Sequence, residues 1–269
     1  MKLFTAVNRT DLHLRLVRIA LPAVESGLWL LVMRATHFAA LALLAVLPAT
    51  HAFASGPDRI LFIGNSYTYY NNSLHNHYRQ MLREAYPDKS HHVRINTISG
   101  GKLREHHNGL EYMLASDDWD VVVLQGHSLG PIEDFDSFRA AAIQHAEKIR
   151  ADGARPVMFM TWARTHKPEM TAVLREAYES VAAEIDAEVS PVGVAFETVT
   201  RQRPDIALRT SDRSHPTLAG TYLAASVFFL RLHGGPVADL EYTAGLPEDT
   251  AAYLRRIAEQ TVNAYDTKD

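Results

Sequence analysis

The 269-residue chain contains no cysteine. That excludes disulfides, thiolate nucleophiles and zinc sites built on cysteine. A chain of this length with 47% hydrophobic residues can bury a core without such staples. A strong excess of either charge is also missing. The 27 Lys and Arg against 31 Asp and Glu leave a formal charge of −4, which is no footprint for nucleic acid. There are no internal repeats and no low-complexity tracts, and the one long apolar run lies near the start.

That run, FAALALLAVL at residues 38–47, has signal-peptide length. Arg34 precedes it, and Ala52-Phe53-Ala54 supplies a small-x-small cleavage pattern, so cleavage is expected after Ala54. Met33 would open a compact signal peptide, so the true start is expected at Met33, with residues 1–32 an extension upstream of it. A membrane anchor over residues 27–47 is the competing reading. Arg34 and His37 interrupt it, whereas a clean span needs roughly 20 mostly apolar residues. Residues 1–54 are therefore expected to be the leader of an exported protein, periplasmic or secreted. Residues 55–269 are expected to be one domain without stable membrane association. Removing residues 1–54 takes away five Lys/Arg and two Asp/Glu and leaves −7, a balance that does not favour anionic lipid.

Short apolar runs bounded by turn residues at 59–63, 120–124 and 156–161 predict strands buried on both faces. Residues 92–98 and 189–194 add two more, the last bent or at an edge because of Pro191. Helical spacing predicts helices over 73–85, 135–151, 169–187 and 218–232, with a final one starting near Pro247. Strands alternating with helices imply an α/β fold, a parallel sheet covered on both faces. The site of such a fold lies beyond the carboxyl ends of its strands.

Three of those ends carry polar or glycine turns: Gly64-Asn65-Ser66, Ser99-Gly100-Gly101 and Gln125-Gly126-His127-Ser128. A fourth segment, Ser211-Asp212-Arg213-Ser214-His215-Pro216, precedes the penultimate helix. Together they hold the parts of acyl transfer. A serine hydroxyl needs a base to become nucleophilic. His215 can serve Ser66 in that role, and Asp212 can fix the imidazole tautomer. The oxyanion needs donors, for which the N–H groups of Ser66 and Gly100 and the side-chain amide of Gln125 are candidates. Gly101 is the alternative to Gly100.

At these residues the chain resembles the SGNH/GDSL-type esterases and lipases. Gly64-Asn65-Ser66-Tyr67 is similar to the family's first block, normally Gly-Asp-Ser-Leu, which holds the nucleophile. Ser99-Gly100 resembles the second, with its oxyanion glycine, and Asp212-x-x-His215-Pro216 the last, with acid and base. The resemblance implies a flavodoxin-like three-layer α/β/α sandwich. Asn65 replaces the usual aspartate, which is not the triad acid. The third block, normally Gly-x-Asn-Asp with an oxyanion asparagine, is replaced by Gln125-Gly126-His127-Ser128. The pattern is that of a divergent branch rather than of the lipases, and no long apolar lid segment is present.

Each residue also has a plainer reading. A serine after a strand is commonly a helix N-cap. Trp162 is either a platform for substrate or a core tryptophan, and Arg164 either binds an acidic group or is solvated. Asn65, Tyr67 and His127 are further candidates for contacting substrate. The 14 histidines invite a metal reading, but His91 and His92 would point to opposite faces of a strand and no His-Glu-x-x-His occurs. Surface or polar-turn histidines are the expectation, with His106 a candidate to line the pocket. No metal and no cofactor is expected. The reading is an exported esterase acting on a small-molecule or carbohydrate ester. An acyltransferase with the same triad and a non-catalytic glycan- or ligand-binding module are the alternatives.

Overall fold

The central strands form where apolar residues run together, as in RILFIG, VVVLQ and RPVMF. The computed structural model describes residues 56–267 except Pro236, and the expected leader lies outside them. Five strands, β1 (Arg59–Gly64), β2 (His92–Thr97), β3 (Val121–Gln125), β4 (Arg155–Phe159) and β5 (Glu188–Ser190), make one sheet in the order β2-β1-β3-β4-β5. Every pairing is parallel.

Alternation along the strands divides the core in two. Ile60, Phe62, Val121, Val123, Val157 and Phe159 face one side. Leu61, Ile63, Val122, Leu124 and Met158 face the other. All are fully buried, and each side chain so buried contributes roughly 1.5–3 kcal/mol. The first face is covered by helices Leu74–Ala85, Val192–Gln202, Leu218–His233 and Glu248–Asp266, the second by His107–Ser116, Phe135–Ala151 and Met170–Glu184. The result is the three-layer α/β/α sandwich expected from the pattern.

Residues 189–194 depart from the expectation. The strand stops at Ser190, and Pro191 leads into an unforeseen helix, Val192–Gln202. Val192, Ala195, Phe196 and Val199 are its buried stripe, spaced three and four apart.

Strand order places the site. The chain steps from β1 outward to β2, then returns past β1 to β3. Loops leaving β1 and β3 diverge there and leave a crevice, the topological switch point at which open α/β sheets bind ligands. Ser66 follows β1 and His127 follows β3.

Candidate active site

β1 closes on Gly64 because nothing larger fits. A Cβ there would lie 2.5 Å from both Gln125 Oε1 and Thr68 Oγ1. Asn65 then caps a four-residue helix, Ser66–Tyr69, its Oδ1 accepting the Tyr67 N–H at 3.1 Å. The amides of Thr68 and Tyr69 turn back to the Asn65 carbonyl. The Ser66 N–H heads this helix, where first-turn amides lack intrahelical acceptors.

Ser66 Oγ stands 2.8 Å from His215 Nε2, and His215 Nδ1 stands 2.5 Å from Asp212 Oδ2. The other Asp212 oxygen accepts from Thr210 Oγ1 and from the backbone amides of Ser214 and His215, at 2.8–2.9 Å. Burial pushes the Asp212 carboxyl up, but the hydrogen bonds from His215, Ser214 and Thr210 outweigh it and hold the group well below the usual carboxylate range. Asp212 is therefore a carboxylate at neutral pH and fixes the proton of His215 on Nδ1. Nε2 is left to accept from Ser66.

The loop carrying this pair is tied down on several sides. Thr210 N donates to His215 O, Thr217 N to Leu208 O, and Thr165 N to Arg213 O. Asn71, at φ +52°, sends its amide to Pro216 O and Thr221 Oγ1, both at 2.9 Å, which links the segment of Ser66 to that of His215. Tyr70 stacks on the His215 ring at 4.4 Å, and Tyr67 meets it edge-on at 5.8 Å. The Tyr67 hydroxyl is 2.6 Å from Ser214 Oγ.

A cavity of about 310 Å³ opens beside Ser66 and His215. Gly100 lines it at φ +66°, a conformation that glycine adopts without strain. Gly101 does not line it. Its N–H donates to Ile98 O and its carbonyl accepts from Asn65 Nδ2. Of the two glycines, Gly100 is the one at the cavity.

Gln125 is brought close in space but not to the cavity. It is fully buried beneath the Asn65 turn. Its Nε2 donates to Asn65 Oδ1 at 2.6 Å and to Gly126 O at 3.0 Å, and its Oε1 accepts from Asn65 N and Thr68 Oγ1. Both amide protons are committed, so the expected oxyanion role of Gln125 does not fit this geometry. Asn65, by contrast, lines the cavity, yet it is only 2% exposed and its side-chain amide is spent as a strut between Gln125 and Gly101.

Trp162 is likewise no open platform. It lies 1% exposed between Tyr67 at 4.3 Å and Phe196 at 4.1 Å, nearly parallel to both, and its Nε1 donates to Ser214 O at 2.9 Å. His127, by contrast, lines the cavity. Its Nδ1 accepts the Leu129 N–H at 3.3 Å, which leaves Nε2 as the protonated nitrogen. Burial, reinforced by the charges of Lys102 and Arg164, lowers its pKa, so the ring is neutral near pH 7.

His77 and His106 are buried, not superficial as expected, and His106 does not line the cavity. Among the described residues no group of three or more His, Asp or Glu could hold a metal ion, and no helix is long and apolar enough to cross a membrane. Sequence reasoning passed over the stack of Tyr70 on His215, the Thr210 bond to Asp212 and the Asn71 tie. Only the run of Ser, Thr and Asn around the loops hinted at them.

The same chain architecture occurs in solved structures. A protein from Slackia heliotrinireducens assigned to the SGNH hydrolases is 28% identical, with a TM-score of 0.55 over 66% of this chain and 98% of its own. The fold is that of the SGNH hydrolases. A DUF4886 family protein from Bacteroides uniformis shares it at 20% identity and a TM-score of 0.63, over 77% of this chain and 95% of its own. An acetylxylan esterase from Geobacillus stearothermophilus does so at 18% identity and 0.56, over 68% and 97%. The last two likenesses bear on fold alone. No protein-family model and no curated protein matches the sequence.

Proposed function

We propose that the protein is an exported serine esterase that hydrolyses short acyl esters, carbohydrate-linked ones foremost. The observation that carries this is the unbroken chain Ser66 Oγ–His215 Nε2 and His215 Nδ1–Asp212 Oδ2 on the wall of an SGNH-fold cavity. Export rests on residues 34–54 of the sequence.

In the acylation step Ser66 Oγ bonds to the acyl carbon while its proton passes to His215 Nε2. The ionised Asp212 stabilises the resulting imidazolium. The Ser66 and Gly100 N–H groups meet the oxyanion, each such donor being worth about 3–4 kcal/mol in the transition state. The C–O bond to the leaving alcohol breaks as His215 returns the proton to it. Water then takes the alcohol's place: its proton passes to His215 as its oxygen bonds to the acyl carbon, the bond from that carbon to Ser66 Oγ breaks, and His215 returns the proton to Oγ. The neutral His127, with Nε2–H as its free donor, serves to orient the bound ester. The cavity volume lies at the small end of ligand pockets, which supports a short acyl group.

The test uses purified protein, a fluorophosphonate probe and acetyl-ester turnover, with Ser66→Ala and His215→Ala alongside. Covalent labelling by intact mass and turnover should both vanish in Ser66→Ala. A folded wild type that neither labels nor turns over would replace this reading with a ligand-binding role. Product analysis with added sugar separates hydrolysis from acyl transfer through the same acyl-enzyme.

A further inference from the structure

Arg164 stands in the loop that follows β4, on the rim occupied by Ser66 and His215, and lines the same cavity. Its backbone is fixed on both sides. The preceding Ala163 carbonyl accepts from Arg209 Nε at 2.7 Å, and the following Thr165 N–H donates to Arg213 O in the loop of Asp212 and His215. The side chain is different. Among the described residues its guanidinium has neither a hydrogen bond nor an ion pair, and its Nε is buried without a partner. Arg164 shares the lining of this cavity with Tyr67 and His127, and its charge bears on both.

No acidic side chain among the described residues lines that cavity. Asp212, behind His215, already accepts from His215, Thr210 and two backbone amides. Lys102 and Arg104, on the neighbouring loop, are paired with Asp134. Arg209 donates to Ala163 O and Thr200 Oγ1 and lies over the Phe196 ring. Among the described residues, Arg164 is therefore the cation at the site without a protein partner. An arginine partly removed from water and left unpaired lacks the compensation that buried charges require. A planar anion from outside would provide it, through the two parallel N–H···O bonds that guanidinium makes with carboxylate.

We infer that the esterase acts on acyl esters of anionic substrates, with Arg164 binding a carboxylate on the alcohol part, as in an acylated uronic acid. This rests on the esterase reading and adds to it the charge of the substrate. One unpaired guanidinium matches one carboxylate. The acyl group then lies at Ser66 and the acid at Arg164, within one cavity.

The experiment compares mono-O-acetylated methyl glucuronoside with methyl glucoside acetylated at the same position, a pair differing in one carboxylate. Wild-type kcat/KM should favour the uronate by about tenfold or more, the worth of one hydrogen bond to a charged group. Raising salt should shrink that preference. In Arg164→Gln the ratio should fall toward one, and Arg164→Lys should keep part of it. Binding of free methyl glucuronoside, measured by calorimetry on the full protein and on Ser66→Ala, should weaken by a similar factor on Arg164→Gln. Equal kcat/KM for both esters in the wild type, with turnover still abolished by Ser66→Ala, would overturn the inference and leave the esterase standing. If neither ester is hydrolysed and Ser66 is not labelled, the esterase reading falls. The calorimetry then decides the carboxylate site alone, and binding unchanged by Arg164→Gln overturns it.

Discussion

Replacing Asn65 by alanine removes one side chain that serves three neighbours. Its Oδ1 caps the helix that begins at Ser66, through Tyr67 N, and accepts from Gln125 Nε2, while its Nδ2 holds the Gly101 carbonyl. Loss of the cap costs about 1 kcal/mol. The Gly101 carbonyl and one Gln125 proton are left in a buried setting, and an orphaned buried polar group costs about 1–3 kcal/mol. Gln125 keeps its bond to Gly126 O, so the total is about 2–4 kcal/mol. For a domain of this size that lowers Tm by roughly 5–15 °C. Urea unfolding followed by fluorescence measures it. Asn65→Asp separates the two jobs, because it keeps the acceptor but sets a carboxylate oxygen against the Gly101 carbonyl. Stability should fall less than in Asn65→Ala, while acetyl-ester kcat should fall markedly as the Gly100-Gly101 turn is pushed away. That loss should be partly recovered on mild acidification, when the new carboxyl gains a proton to donate. A cost below 1 kcal/mol for Asn65→Ala with turnover intact would refute the strut, and so would an Asn65→Asp variant with normal kcat.

Three other outcomes follow from the same geometry. His106 and His145 are fully buried, all four ring nitrogens lack partners among the described residues, and burial lowers both pKa values from 6.5 to about 4. The unfolded chain then binds more protons below pH 6.5, so stability should decline from there to about pH 4 by up to about 3 kcal/mol per histidine. A flat urea midpoint over that range would contradict it. Trp162→Phe keeps the stack between Tyr67 and Phe196 but loses the bond to Ser214 O beside His215. Stability should drop by about 1 kcal/mol, and kcat by about tenfold or more through a displaced His215, read against unchanged secondary structure. Gly100→Ala meets no neighbour within 4 Å, so its cost is the left-handed φ alone, about 1–2 kcal/mol, and reduced turnover in a folded variant is the expected sign of a shifted oxyanion amide.

The layered fold was legible because apolar runs buried on both faces leave little choice beyond a parallel sheet. Residues 189–194 misled because VSPVGV reads equally as a buried strand or as the start of a helix, and periodicity over six residues cannot arbitrate. The next turn decides, since Ala195, Phe196 and Val199 continue the three-and-four spacing that a strand would not need. That Ser66, His215 and Asp212 would meet was legible for a different reason. Their chemistry demands particular residue types at loops that topology brings to one rim.

Gln125 shows where that logic ends. The type of its side chain suited an oxyanion donor, but type does not say whether an amide faces the cavity or the layer beneath it. Facing inward, it meets an asparagine that donates as well as accepts, and the two complete each other: Gln125 Nε2 to Asn65 Oδ1, Asn65 N to Gln125 Oε1, Asn65 Nδ2 to Gly101 O. An aspartate at position 65 could not make the last of these bonds while ionised. The two residues that depart from the pattern of the resemblance, in the first block and the third, are thus joined by hydrogen bonds, and the oxyanion donors proposed at the cavity are backbone groups. Such donors cannot be removed by a side-chain substitution, which is why Asn65 and Gly100, rather than Gln125, are the positions at which turnover should respond first.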